Sequence, residues 1–318
     1  EIFPRHRFLT AEREGGLWRL EIAPSGGGLP LEIRAKALVN AAGPWVIDVA
    51  GRTKGVAVNR KLRMVRGSHV VVPRQWEGEH GYFLQTRDGR LMEAFPYENG
   101  FTSIGTTDEP WEDGFLRKPV TREEIVWSYS GVRPLFEVGG ARDGDLSTLT
   151  RDYSFEIDRS DDGAPALTIF GGKLTTHRRL AEHAVLELCR FMPWPKQGLT
   201  RTEVLPGGDF GPGGKAAYEQ GLKARFPWMP RTQVARYAQQ YGTRADQMLD
   251  GVRSQADLGE RFGADLYECE VDFLVRTEWA RTVSDIIWRR TKVGLRLTPQ
   301  ESARLEARLS SNAPIAVN

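Results

Sequence analysis

Cysteine is scarce. Cys189 and Cys269 are the only two, 80 residues apart. No CxxC pair and no histidine–cysteine cluster occurs, which excludes a zinc site and leaves two free thiols, as in a reducing compartment. No run of 18 apolar residues is present, so no hydrophobic helix long enough to cross a membrane is expected. No charge of one sign dominates: 44 Lys and Arg stand against 42 Asp and Glu, a net charge of +2. Such a balance gives no global field to attract nucleic acid. A fourth absence is more specific. No GxGxxG loop follows a strand and opens a helix, so the turn that grips a dinucleotide pyrophosphate is missing from this stretch of chain.

What is present describes a globular protein. The 318 residues are 40% apolar and 27% charged, enough for one large or two medium domains with a real core. Alternation over residues 18–22 and a return over 31–39, across Ser25-Gly26-Gly27-Gly28, predict strands. The run Ala37-Leu38-Val39 ends at Asn40-Ala41-Ala42-Gly43-Pro44-Trp45 and reads as a buried parallel strand with a Gly/Pro turn. Residues 64–107 read as antiparallel strands, with Asp88-Gly89 and Asn99-Gly100 as hairpin turns. Thr121-Arg122-Glu123-Glu124 is a capping box that predicts a short helix through Trp127. Residues 153–157 and 166–170 predict another hairpin. After Gly171-Gly172-Lys173, helical spacing of Leu180, Ala184, Val185, Leu188 and Phe191 predicts a helix of about 17 residues. Residues 193–214 are rich in Pro and Gly and read as a linker. Beyond them the pattern is helical.

Several stretches suit chemistry. A strand, two glycines and a helix start at Gly171-Gly172-Lys173-Leu174-Thr175-Thr176 offer close backbone approach and free N–H donors to an anion. The same pattern also serves as a plain strand-to-helix turn. Arg133 and Arg151, with Lys173, are candidates for an anionic substrate, because guanidinium meets phosphate or carboxylate with two parallel donors. Arg133 is expected in a turn after a helix. Arg151 is expected at the opening of a strand. His69, in Arg66-Gly67-Ser68-His69 at the expected start of the antiparallel sheet, is the most suggestive histidine. Residues 272–296 carry six basic side chains against three acidic ones, interleaved with Trp279, Ile286, Ile287 and Trp288. That fits a membrane-surface or partner-binding helix, or a solvated face over a core stripe.

Together these pieces resemble the FAD-dependent glycerol-3-phosphate dehydrogenases. The likeness is carried, in order, by Leu38-Val39-Asn40-Ala41-Ala42-Gly43-Pro44-Trp45, Arg66-Gly67-Ser68-His69 and Ser103-Ile104-Gly105-Thr106-Thr107-Asp108. It continues through Ser130-Gly131-Val132-Arg133-Pro134, Thr150-Arg151-Asp152-Tyr153 and Phe170-Gly171-Gly172-Lys173-Leu174-Thr175-Thr176. The resemblance implies a mixed α/β (α+β) fold. Residues 1–50 and 166–192 would belong to a Rossmann-like FAD-binding domain. Residues 51–165 would form an antiparallel substrate domain, 193–214 a linker and 215–318 a helical C-terminal domain. The family's GxGxxG lies upstream of the residues matched here, so the chain is expected to be a fragment that holds FAD weakly and does not turn over alone.

The implied activity is oxidation of sn-glycerol 3-phosphate to dihydroxyacetone phosphate, with hydride passing to FAD and electrons to a membrane quinone. Arg133 would stabilise a C2 alkoxide, Arg151 and Lys173 would hold the phosphate, and His69 would be the base. Gly171, Gly172, Leu174, Thr175 and Thr176 would line the flavin edge, with Ala42, Gly43 and Trp45 near the rest of the cofactor. No metal is implied. The resemblance further implies a bacterial cytoplasmic enzyme, peripheral on the inner face of the plasma membrane, with homodimerisation left open. Two alternatives stand beside it: an oxidase that uses dioxygen, and a non-catalytic module whose helical domain docks on a membrane or partner.

Overall fold

Strands β1 (His6–Glu14), β2 (Leu17–Pro24) and β3 (Leu31–Ala35) form an antiparallel sheet in that order. Gly15 and Gly16 both take positive φ at the first turn, a conformation that side chains resist. The sheet is seated by Trp18, which is fully buried and donates its indole N–H to the Pro165 carbonyl at 2.9 Å. A computed structural model describes residues 1–58, 60–85, 91–106, 121–137, 149–150, 152–159, 163–194 and 198–311 of the chain.

The predicted return over residues 31–39 is two strands. After β3 the chain leaves the first sheet, and β4 (Leu38–Asn40) pairs in parallel with β12 (Ala166–Gly171). Asn40 is buried, while Val39 is 44% exposed, so β4 is covered on one face rather than on both. On the other side of β12 lies β11 (Tyr153–Asp158), antiparallel, with Ile157 opposite Leu167, as the hairpin pattern predicts.

The largest sheet holds β5 (Leu62–Pro73), β6 (Tyr82–Gln85), β7 (Leu91–Tyr97), β8 (Phe101–Gly105), β9 (Trp127–Glu137) and β10 (Leu149–Thr150). Its order is β10-β9-β5-β8-β7-β6, with every pairing antiparallel. Two expectations change here. The Thr121 capping box exists, with Glu124 Oε2 accepting from the Thr121 N–H at 3.0 Å, but it closes a single 3-10 turn over Arg122–Glu124. Strand β9 starts at Trp127, so Arg133 stands in the middle of a strand rather than in a turn. Pro134 is tolerated there because, among the described residues, β10 reaches β9 only opposite Phe136 and Glu137, which leaves the Pro134 side of β9 without a ladder partner. Likewise His69 is inside β5, seven residues after its start.

Helix α1 (Val46–Gly51) follows β4, and α2 (His177–Leu188) follows β12. Helix α2 is shorter than the periodicity predicts. Ala184 and Leu188 are buried and Leu180 packs beside them, but Val185 is exposed.

The chain divides into two compact units, Glu1–Arg201 and Thr202–Asn318. The second holds α3 (Gly214–Arg225), α4 (Arg231–Tyr241), α5 (Ala245–Met248), α6 (Glu268–Thr277) and α7 (Pro299–Ser311) around a core that includes Leu222, Met229, Tyr237, Phe262, Phe273, Ile286 and Leu305. A capping box at Thr298 opens α7, with Glu301 accepting from the Thr298 N–H at 2.8 Å. A small hairpin, β13 (Arg261–Gly263) with β14 (Leu266–Tyr267), interrupts the helices where the sequence predicts none. The basic stretch resolves into a packed segment: Ile286 and Ile287 are buried, Trp288 lies against Gly294, and Arg289 pairs with Asp285 at 2.9 Å. Among the described residues no helix is long and apolar enough to cross a membrane. Cys189 and Cys269 are both free thiols, and burial pushes the Cys269 thiol up to about 12.

Candidate active site

One small core cluster joins the candidate segments of the first unit. It contains Val46 from α1, Phe136 from β9 and Phe170 from β12, with Leu62 of β5 packed against it. Val46 follows Trp45 directly, Phe136 is three residues past Arg133, and Phe170 precedes Gly171. Burying these side chains together therefore brings three stretches far apart in sequence around one point. The Arg60 guanidinium lies 5.2 Å from both phenyl rings and is held by Glu156 at 2.7 Å.

His69 and Arg133 share one face of the large sheet. The β5–β9 register pairs Val65 with Arg133, Gly67 with Gly131 and His69 with Tyr129. The β5–β8 register pairs His69 with Gly105, and β7 adds Glu93 opposite Gly105. A period of two then puts Arg133, Gly131, Tyr129, Gly67, His69, Gly105 and Glu93 on the same side. Two of these glycines are required. A Cβ on Gly67 would stand 2.6 Å from Arg133 Nη1 and 2.8 Å from Thr106 Oγ1, and one on Gly105 would stand 2.2 Å from His69 Cδ2. The imidazole thus lies over Gly105, and the guanidinium over Gly67. Burial is the main cause that pushes the His69 pKa below its ordinary value; the Arg133 charge adds to it and the Glu93 carboxylate opposes it. Burial and the Arg133 charge both favour the neutral imidazole, the state a base requires.

The second cluster is the β12 end. Gly171 and Gly172 both have positive φ. The group that approaches them closely is the protein itself: a Cβ on Gly171 would meet the Asp152 carbonyl at 2.4 Å and the Phe136 ring at 2.8 Å, and one on Gly172 would meet Leu180 at 2.8 Å. Neighbouring protein atoms therefore fill the space a side chain would take at either glycine, and the two glycines let β12 turn against β9 and α2. Lys173 is extended and half-exposed, with its ammonium 3.8 Å from Asp152. Thr176 Oγ1 accepts from the Lys173 N–H at 3.2 Å and donates to the Lys173 carbonyl at 3.0 Å, fixing the 3-10 turn Leu174–Thr176 that leads into α2. Leu174 is 88% exposed. Arg151 lies outside the described residues.

The third cluster is the β4 turn. Asn40 Nδ2 donates to the Val46 carbonyl at 2.8 Å, and the Ala42 N–H donates to Asn40 Oδ1 at 3.3 Å. Gly43 has φ +55 with open space where a Cβ would be, and Trp45 is 67% exposed. Ala42, Gly43, Trp45, Leu174 and Thr175 therefore offer an uncovered, partly apolar surface at two chain turns. That fits one face of a planar, amphipathic cofactor such as a flavin. Gly67, Gly105, Thr106, Ser103, Glu93 and Tyr129 were not singled out as site residues from sequence. The signal that finds them is the strand register, which a single chain does not display.

The sequence profile of the FAD dependent oxidoreductase family matches residues 1–173. The chain belongs to that family. Residues 199–308 match the profile of the C-terminal domain of alpha-glycerophosphate oxidase. The chain is similar to a glycerol-3-phosphate dehydrogenase of Pseudomonas aeruginosa, 39% identical over 98% of this chain and 64% of that protein. It is 38% identical to a D-erythritol 1-phosphate dehydrogenase of Brucella abortus, over 95% and 63%. It is 36% identical to the aerobic glycerol-3-phosphate dehydrogenase of Escherichia coli, over 96% and 64%. The fold matches a crystal structure of the glycerol-3-phosphate dehydrogenase from Bacillus halodurans in complex with FAD, with a TM-score of 0.71 and 22% identity over 96% of this chain and 68% of that one. FAD is thus the cofactor named for the family to which this chain belongs. The chain spans 64% of the length of the first of these relatives.

Proposed function

We propose that this chain supplies the substrate side of an enzyme that oxidises sn-glycerol 3-phosphate to dihydroxyacetone phosphate. The observation that carries the reading is a histidine and an arginine on one sheet face, each over a glycine. Bound FAD would supply the acceptor for the hydride from C2. Neutral His69 takes the proton of the C2 hydroxyl. Arg133 stabilises the charge that develops on that oxygen. Lys173 and Arg151 hold the phosphate. Ala42, Gly43, Trp45, Leu174, Thr175 and Thr176 would meet the flavin, with Gly171 and Gly172 shaping the turn.

The names of the relatives support the substrate class. The D-erythritol 1-phosphate relative makes a four-carbon polyol phosphate the second substrate to try. Electron transfer to a membrane quinone and a peripheral place on the inner face of the plasma membrane belong to the same reading, as does homodimerisation. With no GxGxxG among its residues, the 318-residue chain by itself is expected to bind FAD weakly.

Two measurements test this. Titration of the chain with FAD, followed by flavin fluorescence, should show no saturation at low micromolar FAD. In the FAD-loaded holoprotein, glycerol 3-phosphate should reduce a quinone-like dye. Absence of dye reduction with FAD bound would sink the substrate assignment, and oxygen uptake with peroxide release would turn the acceptor assignment toward dioxygen.

A further inference from the structure

His69 is held by something other than hydrogen bonds. Among the described residues, no hydrogen bond to either of its ring nitrogens is found. Its plane is nonetheless fixed. The Tyr129 ring lies directly across the strand pair, 4.9 Å away and within 2° of parallel. On the other side the imidazole lies over Gly105, where a Cβ would stand 2.2 Å from its Cδ2.

Tyr129 is itself anchored twice. Its hydroxyl shares a hydrogen bond with Ser103 Oγ at 3.2 Å, on β8, which lies beyond β5. Its ring meets Trp127 at 5.1 Å, and Trp127 in turn stacks on Tyr97 at 6.4 Å. A ladder of rings therefore runs over β7, β8, β5 and β9 and ends at His69. Beneath it Val71 is fully buried and Ser103 is nearly so. A row of this kind has little freedom: each ring blocks the next from swinging.

We propose that Tyr129, braced by Ser103 and Trp127, is the positioning residue that sets the plane of His69 and keeps its ring nitrogens directed along the open face beside Arg133. The role rests on the reading of His69 as the base. It adds a residue that does not touch substrate and acts through the imidazole. Stacking also shields the ring from water on one side, in line with the lowered basicity that burial gives it. The charged and titratable groups that face the imidazole are Arg133 and Tyr129 from β9 and Glu93 from β7; β8 presents Gly105 and Ser103, which carry no charge.

The test uses the full chain labelled at its five histidines. His69→Asn identifies the His69 resonance. Tyr129→Phe keeps the stacked ring and loses only the hydroxyl. Tyr129→Leu keeps apolar bulk in the strand and loses the stack. Tyr129→Leu should move the His69 ring-proton resonance downfield and raise its titration midpoint toward the ordinary value, while Tyr129→Phe, which keeps the stack and loses only the bond to Ser103, should shift both slightly, as Ser103→Ala does. Ser103→Ala is the second variant: it should broaden or partly shift the same resonance. Unchanged His6 and His177 signals show that each variant is folded. In the holoprotein, Tyr129→Leu should lower kcat about tenfold or more with KM little changed, and Tyr129→Phe should restore it. A His69 resonance and midpoint unmoved in folded Tyr129→Leu and Ser103→Ala overturn the proposal. A wild-type holoprotein inert toward glycerol 3-phosphate overturns the reading of function, and the titration still decides what Tyr129 does.

Discussion

Arg133 lies over Gly67: a Cβ added at that glycine would stand 2.6 Å from the nearer guanidinium nitrogen. The φ of Gly67 is not in the left-handed region, so alanine is acceptable to the backbone and only the space is contested. The atoms displaced are the end of the flexible Arg133 side chain and the Thr106 hydroxyl, both side-chain atoms that can move at modest cost. Gly67→Ala should therefore cost about 1 kcal/mol of stability or less. Activity should suffer more, with kcat/KM falling about tenfold to a hundredfold, as for loss of a hydrogen bond to a charged group. Thermal unfolding and steady-state kinetics of the FAD-loaded holoprotein check both halves. Wild-type kinetics would place Arg133 away from the chemistry.

Arg133→Lys asks the same question of the side chain. Lysine keeps the charge and loses the planar fork. Turnover should fall about tenfold to a hundredfold. Undiminished turnover would remove the role assigned to the guanidinium.

His69 gives a pH prediction. Burial, then Arg133, lowers its pKa from the ordinary value of about 6.5. Protonation is disfavoured in the fold, so the stability linked to this group is full above the unfolded value and is lost as pH falls through the lower folded value. The activity of a neutral base should fall over the same acid range. Arg133→Gln removes the second cause and leaves the first, so the midpoint should rise but stay below the ordinary value. An NMR titration reads it directly, and a midpoint in wild type at or above the ordinary value would contradict the geometry.

In the second unit Arg236 grips Glu270 through two parallel bonds of 2.6 Å, while Tyr241 donates to the same carboxylate at 2.5 Å. Glu270 is fully buried. Glu270→Ala leaves a buried, half-paired guanidinium and should cost about 3–5 kcal/mol. Asp48→Asn, which breaks the exposed Arg52–Asp48 pair of 2.9 Å, should cost about 0.5 kcal/mol or less. Denaturant unfolding of the two variants should differ accordingly.

Limited proteolysis addresses the boundary. The Thr243 N–H donates to the Gly207 carbonyl at 3.1 Å, which pins the Pro/Gly stretch after Leu205 to the start of the 3-10 turn at Gly242. Cleavage should concentrate between residues 193 and 204 rather than between 205 and 214. Preferential cutting at 205–214 would show that this tether is not maintained.

The sequence by itself determined the local chemistry. Asn40 and Gly43 mark a turn after a strand, Gly171-Gly172 marks another, and Thr298 starts a helix, because caps and positive-φ turns are decided within a few residues. The mixed α/β plan and the helical C-terminal unit were legible for the same reason. Long-range pairing was not. Thr121 signals a helix start wherever it stands, yet β5 takes the residues that follow it as a strand, since ladder bonds to Val65, Gly67 and His69 outweigh one capping box. The small hairpin at Arg261–Gly263 was missed because its two strands hold five residues in all, too few for a period. Glycines at 171 and 172 could be read from the sequence as room for a ligand; only the tertiary structure shows that Asp152, Phe136 and Leu180 occupy it. Which glycines serve the site, Gly67 and Gly105, and which ring holds His69, Tyr129, were decided by the register of four strands, a property of pairings between residues far apart in sequence, such as Leu62 with Phe136, that no stretch of sequence carries alone.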